Sequence, residues 1–592
     1  MRRHKQNQQQ PSSRSIIMTM ELDDPQNEEV VPLSSSNKLS PLEIENNNNT
    51  KQDELKVEAY QLDQKQTPNH DTFLSPYLPV PVLNFLYPPI VPRSIQLLRA
   101  ENIAIPACYL CVGILQGLSG PFINVYPLFL GATEAQQTTI MSIRSLPASF
   151  KIVFGFLSDN VPFLGYRRKA YMFLGWALSS LSMAALYYGS NLERAAINVV
   201  EQEAVGATIS QGEEQSLSQS YEPPEDAPSI QFLTLSLLLF GTGFWFADVM
   251  GDSLVAEKAK LEPPSSRGQL QSTCYACRFF GLMVCSPIST VLYHHYGAAC
   301  IVRLMMWTPL VVMLVPLAYL YELAYAPIQS TRDQCQEIWT TVCSRAVWQP
   351  MGFVYLYNVL QIPNAAWKEF LKTALHFDDW QLNTLLVIAN VLVYVGVMAY
   401  KYYFIKFSWR CIYIGSTILN AILSLGQVIL ITGHIPFGLS PFVFALGDDI
   451  FADFIAGVQF LPTTIMMVHL CPSGSEGASY AMFTTVSNCA GGLASALSTV
   501  LTRLWDVSKE SIQEGHYSGM LKLSILTTIL QTSGLLFVKL LPKTKEDLHD
   551  LSQEKSSKWG GALFLAITFF SVLYAIVVNL LNVLVPGWAG ES

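Results

Sequence analysis

The stretch from Ile230 to Val255, IQFLTLSLLLFGTGFWFADVMGDSLV, carries no charge except two carboxylates, Asp248 and Asp252. A bilayer core about 30 Å thick needs roughly 20 apolar residues per helix, so this stretch reads as a membrane span. Segments of the same kind recur along the chain. Helices are expected at 104–130, 136–157, 169–189, 230–255, 271–293 and 298–321. A second set is expected at 348–372, 381–403, 410–433, 439–468, 476–502 and 518–541, and a last apolar run covers 559–585. The composition agrees, with 50% hydrophobic and only 14% charged residues where a soluble chain carries about a quarter. The layout divides the chain into a tail (1–95), six helices (104–321), a linker (322–347), six more helices (348–541), a second linker (542–558) and a thirteenth span (559–585). Residues 1–95 are rich in Gln, Asn, Ser, Glu and Pro and are expected to stay disordered, since such a segment buries too little apolar surface to offset its ordering entropy.

Orientation follows from Lys and Arg in the short loops. With the N-terminus in the cytoplasm, Arg167, Arg168, Lys169, Lys258, Lys260, Arg267, Lys401, Lys406, Arg410, Lys543 and Lys545 fall inside. The outside loops then hold mainly Arg194, Arg503 and Lys509.

Ionisable groups inside a membrane cost several kcal/mol, face the bundle interior and mark pathways or proton relays. Asp248 and Asp252 are four residues apart and share a helix face. Arg278 lies on the expected fifth helix, Gln116 on the first, and Asp448, Asp449, Asp453 and Gln459 on the tenth, with Asn488 on the eleventh. Two carboxylates facing one arginine leave a surplus negative group, the feature a proton-coupled carrier uses. The alternative is an Asp248–Arg278 pair that only ties two helices together. Lys368, Glu369 and Lys372 end the seventh helix, either snorkelling to the interface or serving a pathway.

After the second helix comes Gly155-Phe-Leu-Ser-Asp159, then Gly165-Tyr-Arg167-Arg168-Lys169. An aspartate at a helix end facing a basic turn gives a charge-assisted clamp. Lys151, Asp159, Arg167, Arg168 and, from the second set, Glu476 form this gating group. The motif resembles the signature loop between helices 2 and 3 of the major facilitator superfamily. That resemblance implies an all-α integral membrane fold of two six-helix halves, here with an added C-terminal span, in which substrate sits between the halves.

The most specific run is Gly447-Asp448-Asp449-Ile-Phe-Ala-Asp453, then Gln459-Phe-Leu-Pro462, then Cys471-Pro-Ser-Gly474-Ser-Glu476-Gly477-Ala-Ser-Tyr-Ala481, and Asn488. With Lys151-xxx-Gly155 and Asp248-xxx-Asp252-xxxx-Glu257, it is similar to the folate–biopterin transporter family, a branch of the major facilitators. The resemblance spans residues 100–541 and implies a pterin or folate as the small-molecule substrate; the proton is the coupling ion expected from the surplus carboxylate. For such a cargo Asp248, Asp252 and Asp453 are expected to take the proton or the donor edge of a pterin ring, and Arg278 or Lys151 to meet a carboxylate.

Other classes find little support. No G-x-x-x-x-G-K-[ST] loop for a primary pump occurs in the sequence. The CxxC pairs Cys108/Cys111 and Cys274/Cys277 sit in apolar segments without His partners, which suits core packing rather than metal. No basic stripe suggests nucleic acid. An enzyme is not expected, nor a cofactor or metal. The remaining alternatives are a carrier of another organic anion or metabolite and a non-transporting receptor or scaffold. The default membrane is the plasma membrane, with an organelle membrane as the alternative.

Overall fold

The computed structural model describes residues 92–132, 134–190, 192, 227–263, 268–322, 324, 330–377, 379–434, 440–472 and 474–584. The expected tail up to residue 91, and most of the acidic loop near 190–229, lie outside the described residues. Among the described residues all regular structure is helical; one isolated bridge, Phe163 to Tyr166, closes the turn after the second span.

In chain order the helices are α1 (Ala104–Phe129), α2 (Glu134–Ser145), α3 (Lys151–Asn160), α4 (Lys169–Gly189), α5 (Ile230–Ala259) and α6 (Gln269–Tyr319). Then come α7 (Thr331–Cys343), α8 (Arg345–Leu360), α9 (Trp367–Thr373), α10 (Asp379–Ala399), α11 (Trp409–Ile431) and α12 (Pro441–Leu470). The last are α13 (Glu476–Leu501), α14 (Lys509–Gln513), α15 (Ser518–Ser533), α16 (Lys545–Gln553) and α17 (Lys558–Leu584). A 3-10 turn, Leu146–Phe150, joins α2 to α3 so that they act as one span.

Nine helical segments among the described residues are long and apolar enough to cross a membrane. A tenth candidate is the pair α16 and α17, bent by 115°. The protein is therefore a multi-pass integral membrane protein. One of the nine is α6, whose 51 residues reach about 77 Å at 1.5 Å per residue, more than twice a bilayer core. It is broken at Gly297, whose φ of 70° and ψ of −173° suit glycine and interrupt the helix. The segment expected at 348–372 is split into α8 and α9 around Pro363, so neither piece alone is long enough to span. The polar connector expected at 322–347 contains α7, started by Ser330, whose hydroxyl accepts from the Asp333 amide at 3.2 Å.

Packing follows small residues. α1 lies along α6, α4 along α5, and α10 along α12. A Cβ on Gly113 would collide with the Arg278 carbonyl, so this close approach brings Arg278 up against α1.

Candidate functional site

Four charged side chains converge where α3, α5 and α6 meet. Asp248 and Asp252, one turn apart on α5, are each 2% exposed. The Lys151 ammonium, at the start of α3, donates to Asp248 Oδ2 at 2.6 Å and lies 3.6 Å from Asp252 Oδ2. Arg278 on α6 donates Nη1 to Asp248 Oδ1 at 3.1 Å and Nε to the Gln116 side-chain oxygen at 3.1 Å. The Tyr109 hydroxyl of α1 donates to Asp252 Oδ1 at 2.6 Å. The Trp245 ring lies under the Lys151 ammonium at 4.6 Å and near the Arg278 guanidinium at 6.0 Å, so both cations meet one aromatic ring.

Two cations therefore face two carboxylates. The sequence expectation of a surplus negative charge counted one cation, because Lys151 was assigned to the gating group. In the structure Lys151 pairs with Asp248 and Asp252, eight residues and so about 12 Å of helix away from Asp159.

The other residues expected to gate, Asp159, Arg167, Arg168 and Glu476, form a second cluster, at the end of the bundle where α3 finishes and α4 and α13 begin. Asp159 Oδ1 accepts Arg168 Nη2 at 2.5 Å and Arg167 Nη2 at 3.1 Å, while its Oδ2 accepts the Ala478 amide of α13 at 2.7 Å. Arg168 also donates to Glu257 Oε1 at 3.0 Å through Nη2. Burial disfavours the charge of Arg168, but the neighbouring Asp159 and Glu257 carboxylates more than offset it and hold its pKa above the ordinary arginine value. Arg167 reaches the Gly474 carbonyl at 3.1 Å, and Lys260 pairs with Glu476 at 2.5 Å. Glu322 accepts the amides of Arg167, Arg168 and Lys169 at 2.7–2.9 Å, which satisfies the open N-terminus of α4. Helices from both helical sets are thus tied at this end. Gly155 and Gly477 make the contact close, since a Cβ on Gly155 would overlap the Gly477 carbonyl.

At the opposite end, where α1 and α13 finish, a cavity of about 1200 Å³ opens between α1, α9, α10 and α12. Asp453 lines it; Asp248, Asp252, Arg278 and Gln116 do not. Gln459 is held in an uncharged network, donating to the hydroxyls of Tyr357 at 3.0 Å and Ser416 at 2.6 Å. Asn488 is exposed and makes none of these contacts. The side chains of Asp448 and Asp449 lie outside the described residues. Tyr109, Trp245, Lys260 and Glu322 were missed in the sequence. A signal existed for two of them: Trp245 sits one turn before Asp248, and Tyr109 two turns before Gln116, on the same helix faces.

The chain is 24% identical over 463 residues to a folate-biopterin transporter of Synechocystis sp., a match covering 77% of this chain and 85% of that one. It is 22% identical over 411 residues to folate transporter 1 of Plasmodium falciparum, covering 69% and 73%. Among solved structures it is similar to the fucose:proton symporter of E. coli, at 13% identity and a TM-score of 0.48 over 75% of this chain and 100% of that one. It is also similar to a bacterial homologue of the iron transporter ferroportin, at 13% identity and a TM-score of 0.45 over 74% and 99%. The family model described as BT1 matches residues 124–211 and 223–559, well over half of the chain. The chain belongs to the BT1 family.

Proposed function

We propose that this chain is a secondary active carrier, built as two six-helix halves of the major facilitator type, that moves a pterin- or folate-type solute by alternating access with a proton. The observation that carries the reading is the buried, charge-balanced set Lys151, Asp248, Asp252 and Arg278. Purely structural pairs are often replaceable by apolar residues, and this set adds a hydroxyl, an amide and an aromatic face around four charges. A proton on Asp252 would leave the set with a net positive charge. A solute carboxylate arriving at Arg278 or Lys151 would restore the balance. Proton and anion are thereby taken up together, because either alone leaves an uncompensated buried charge worth several kcal/mol.

The clamp at Asp159 closes one end while the cavity opens at the other, the arrangement of a carrier poised to load from one side. The lysines and arginines gathered at the clamp mark that end as cytoplasmic by the positive-inside rule. Homologous chains named as folate-biopterin and folate transporters support the cargo class.

The test is uptake of labelled folate and of biopterin by cells expressing the chain, with external pH stepped down by about 2 units from neutrality, enough to titrate a buried carboxylate. Saturable uptake that grows with acidity is expected. Asp252→Asn is expected to reach the membrane and to lose uptake. Full uptake by that variant would remove Asp252 from the coupling step. No uptake of either solute, from a chain shown at the surface, would contradict the cargo assignment and point to another organic anion.

A further inference from the structure

The charge-balanced set lies outside the large cavity, and the cavity has unmatched charges of its own. Five ionisable side chains line it: Lys368, Glu369 and Lys372 from α9, Asp453 from α12, and Asp506. Glu369 accepts the Thr373 hydroxyl at 2.6 Å, and Asp506 accepts the Ser508 amide and hydroxyl at 3.1 and 2.6 Å. Lys372 is engaged as well. Lys368 and Asp453, one of each sign, have no hydrogen bond or ion pair among the described residues. Beside Lys368, the Trp367 ring stacks on Phe370 at 5.7 Å, and its indole N–H is buried with no acceptor among the described residues.

A half-buried carboxylate inside a membrane helix with no partner is costly and is expected to face a water-filled path or a ligand. A carboxylate accepts two adjacent N–H donors, an ammonium takes an anion, and tryptophan walls favour a flat ring. Both groups line the same cavity, whose volume of about 1200 Å³ exceeds the roughly 300–1000 Å³ of ordinary ligand pockets and leaves room for a ring and a tail.

We propose that the outer cavity is the loading site for a solute joining a donor-bearing heteroaromatic ring to an anionic tail, with Asp453 seating the ring edge and Lys368 selecting for the tail. The assignment rests on the carrier reading above and adds the residue that distinguishes a carboxylated pterin from a neutral one. Lys368 is exposed, so its replacement leaves packing intact.

The experiment compares KM for folate, which carries carboxylates, and for biopterin, which does not, in the unaltered chain and three variants normalised to surface abundance. Lys368→Gln is expected to raise the folate KM by about tenfold or more, the loss of one hydrogen bond to a charged group. Its biopterin KM should stay within about twofold, a change below the worth of one such bond. Lys368→Arg should recover most of the folate affinity, and Asp453→Asn should raise KM for both solutes. An unchanged folate KM in Lys368→Gln, or an equal rise for both solutes, overturns the assignment while leaving the carrier reading intact. Uptake of neither solute by the unaltered chain overturns the carrier reading and this assignment with it.

Discussion

At the scale of residues, Lys151 decides the electrostatics of the interior. Its ammonium is the second cation that balances Asp248 and Asp252 at 2.6 and 3.6 Å, with 5% of its side chain exposed. Replacing it by methionine leaves two carboxylates against Arg278 alone, and breaking a buried pair from one side costs about 3–5 kcal/mol. Lys151→Met is therefore expected to unfold at a clearly lower temperature in detergent than the unaltered protein. Adding Asp252→Asn restores the count of charges and should recover much of that loss without recovering uptake. Equal melting of Lys151→Met and the unaltered protein would show that the pair is not made. Asp248, Asp252, Arg278 and Gln116 were legible in the sequence, because charge or amide groups inside an apolar run stand out. The partner of the two aspartates was not. Lys151 shares a motif with Asp159, and only the packing of α3 against α5 shows that the two belong to different clusters.

At the scale of elements, two junctions carry predictions. The first is the crossing of α3 and α13. A Cβ on Gly477 would stand 2.7 Å from Arg168 Nη1 and 3.0 Å from Asp159 Oδ1, inside the clamp itself. Gly477→Val is expected to part the clamp and to expose Cys471, which is buried beside it. Labelling of Cys471 by a maleimide in the detergent-solubilised protein, with the exposed Cys335 and Cys411 and the partly exposed Cys277, Cys285 and Cys300 replaced by serine, should rise; no rise would place the clamp elsewhere. The second junction is α17. Its residues Gly561, Phe564, Thr568 and Ser571 are buried at heptad-like spacing, while Leu563, Phe569 and Phe570 are exposed. The buried stripe packs against α7, α8 and α13 and against α2 with its following turn. The Ser571 hydroxyl donates to the Tyr355 hydroxyl at 3.0 Å, and a Cβ on Gly561 would stand 2.7 Å from the Cys343 sulfur. Gly561→Leu is expected to cost about 1–3 kcal/mol by overpacking, whereas Leu563→Ala should leave the melting temperature unchanged. Equal effects would mean that α17 is not docked through this face. Most helices were legible from apolar runs. The split of α8 from α9 and the helix α7 were harder to read, because a proline inside an apolar run is compatible with a kink as well as a break, and a short polar helix has no hydrophobic period to betray it.

At the scale of the whole molecule, charge is distributed unevenly along a helical body. One set of buried ions sits on α3, α5 and α6, while α8, α11 and α12 use a neutral network of Tyr357, Ser416, Thr417 and Gln459. One end is tied by ion pairs and hydrogen bonds between Asp159, Arg167, Arg168, Lys260 and α13, and the other holds the cavity. On the proposed function, the carrier would respond to acid in the charged part and load its solute from the cavity. The most direct test is to reconstitute the protein in sealed vesicles holding a pH-sensitive dye and to add folate outside with no pH gradient present. The account predicts that folate entry acidifies the lumen, and that Asp252→Asn abolishes the acidification. Folate entry without any movement of protons would contradict the claim that the buried charge set couples the two.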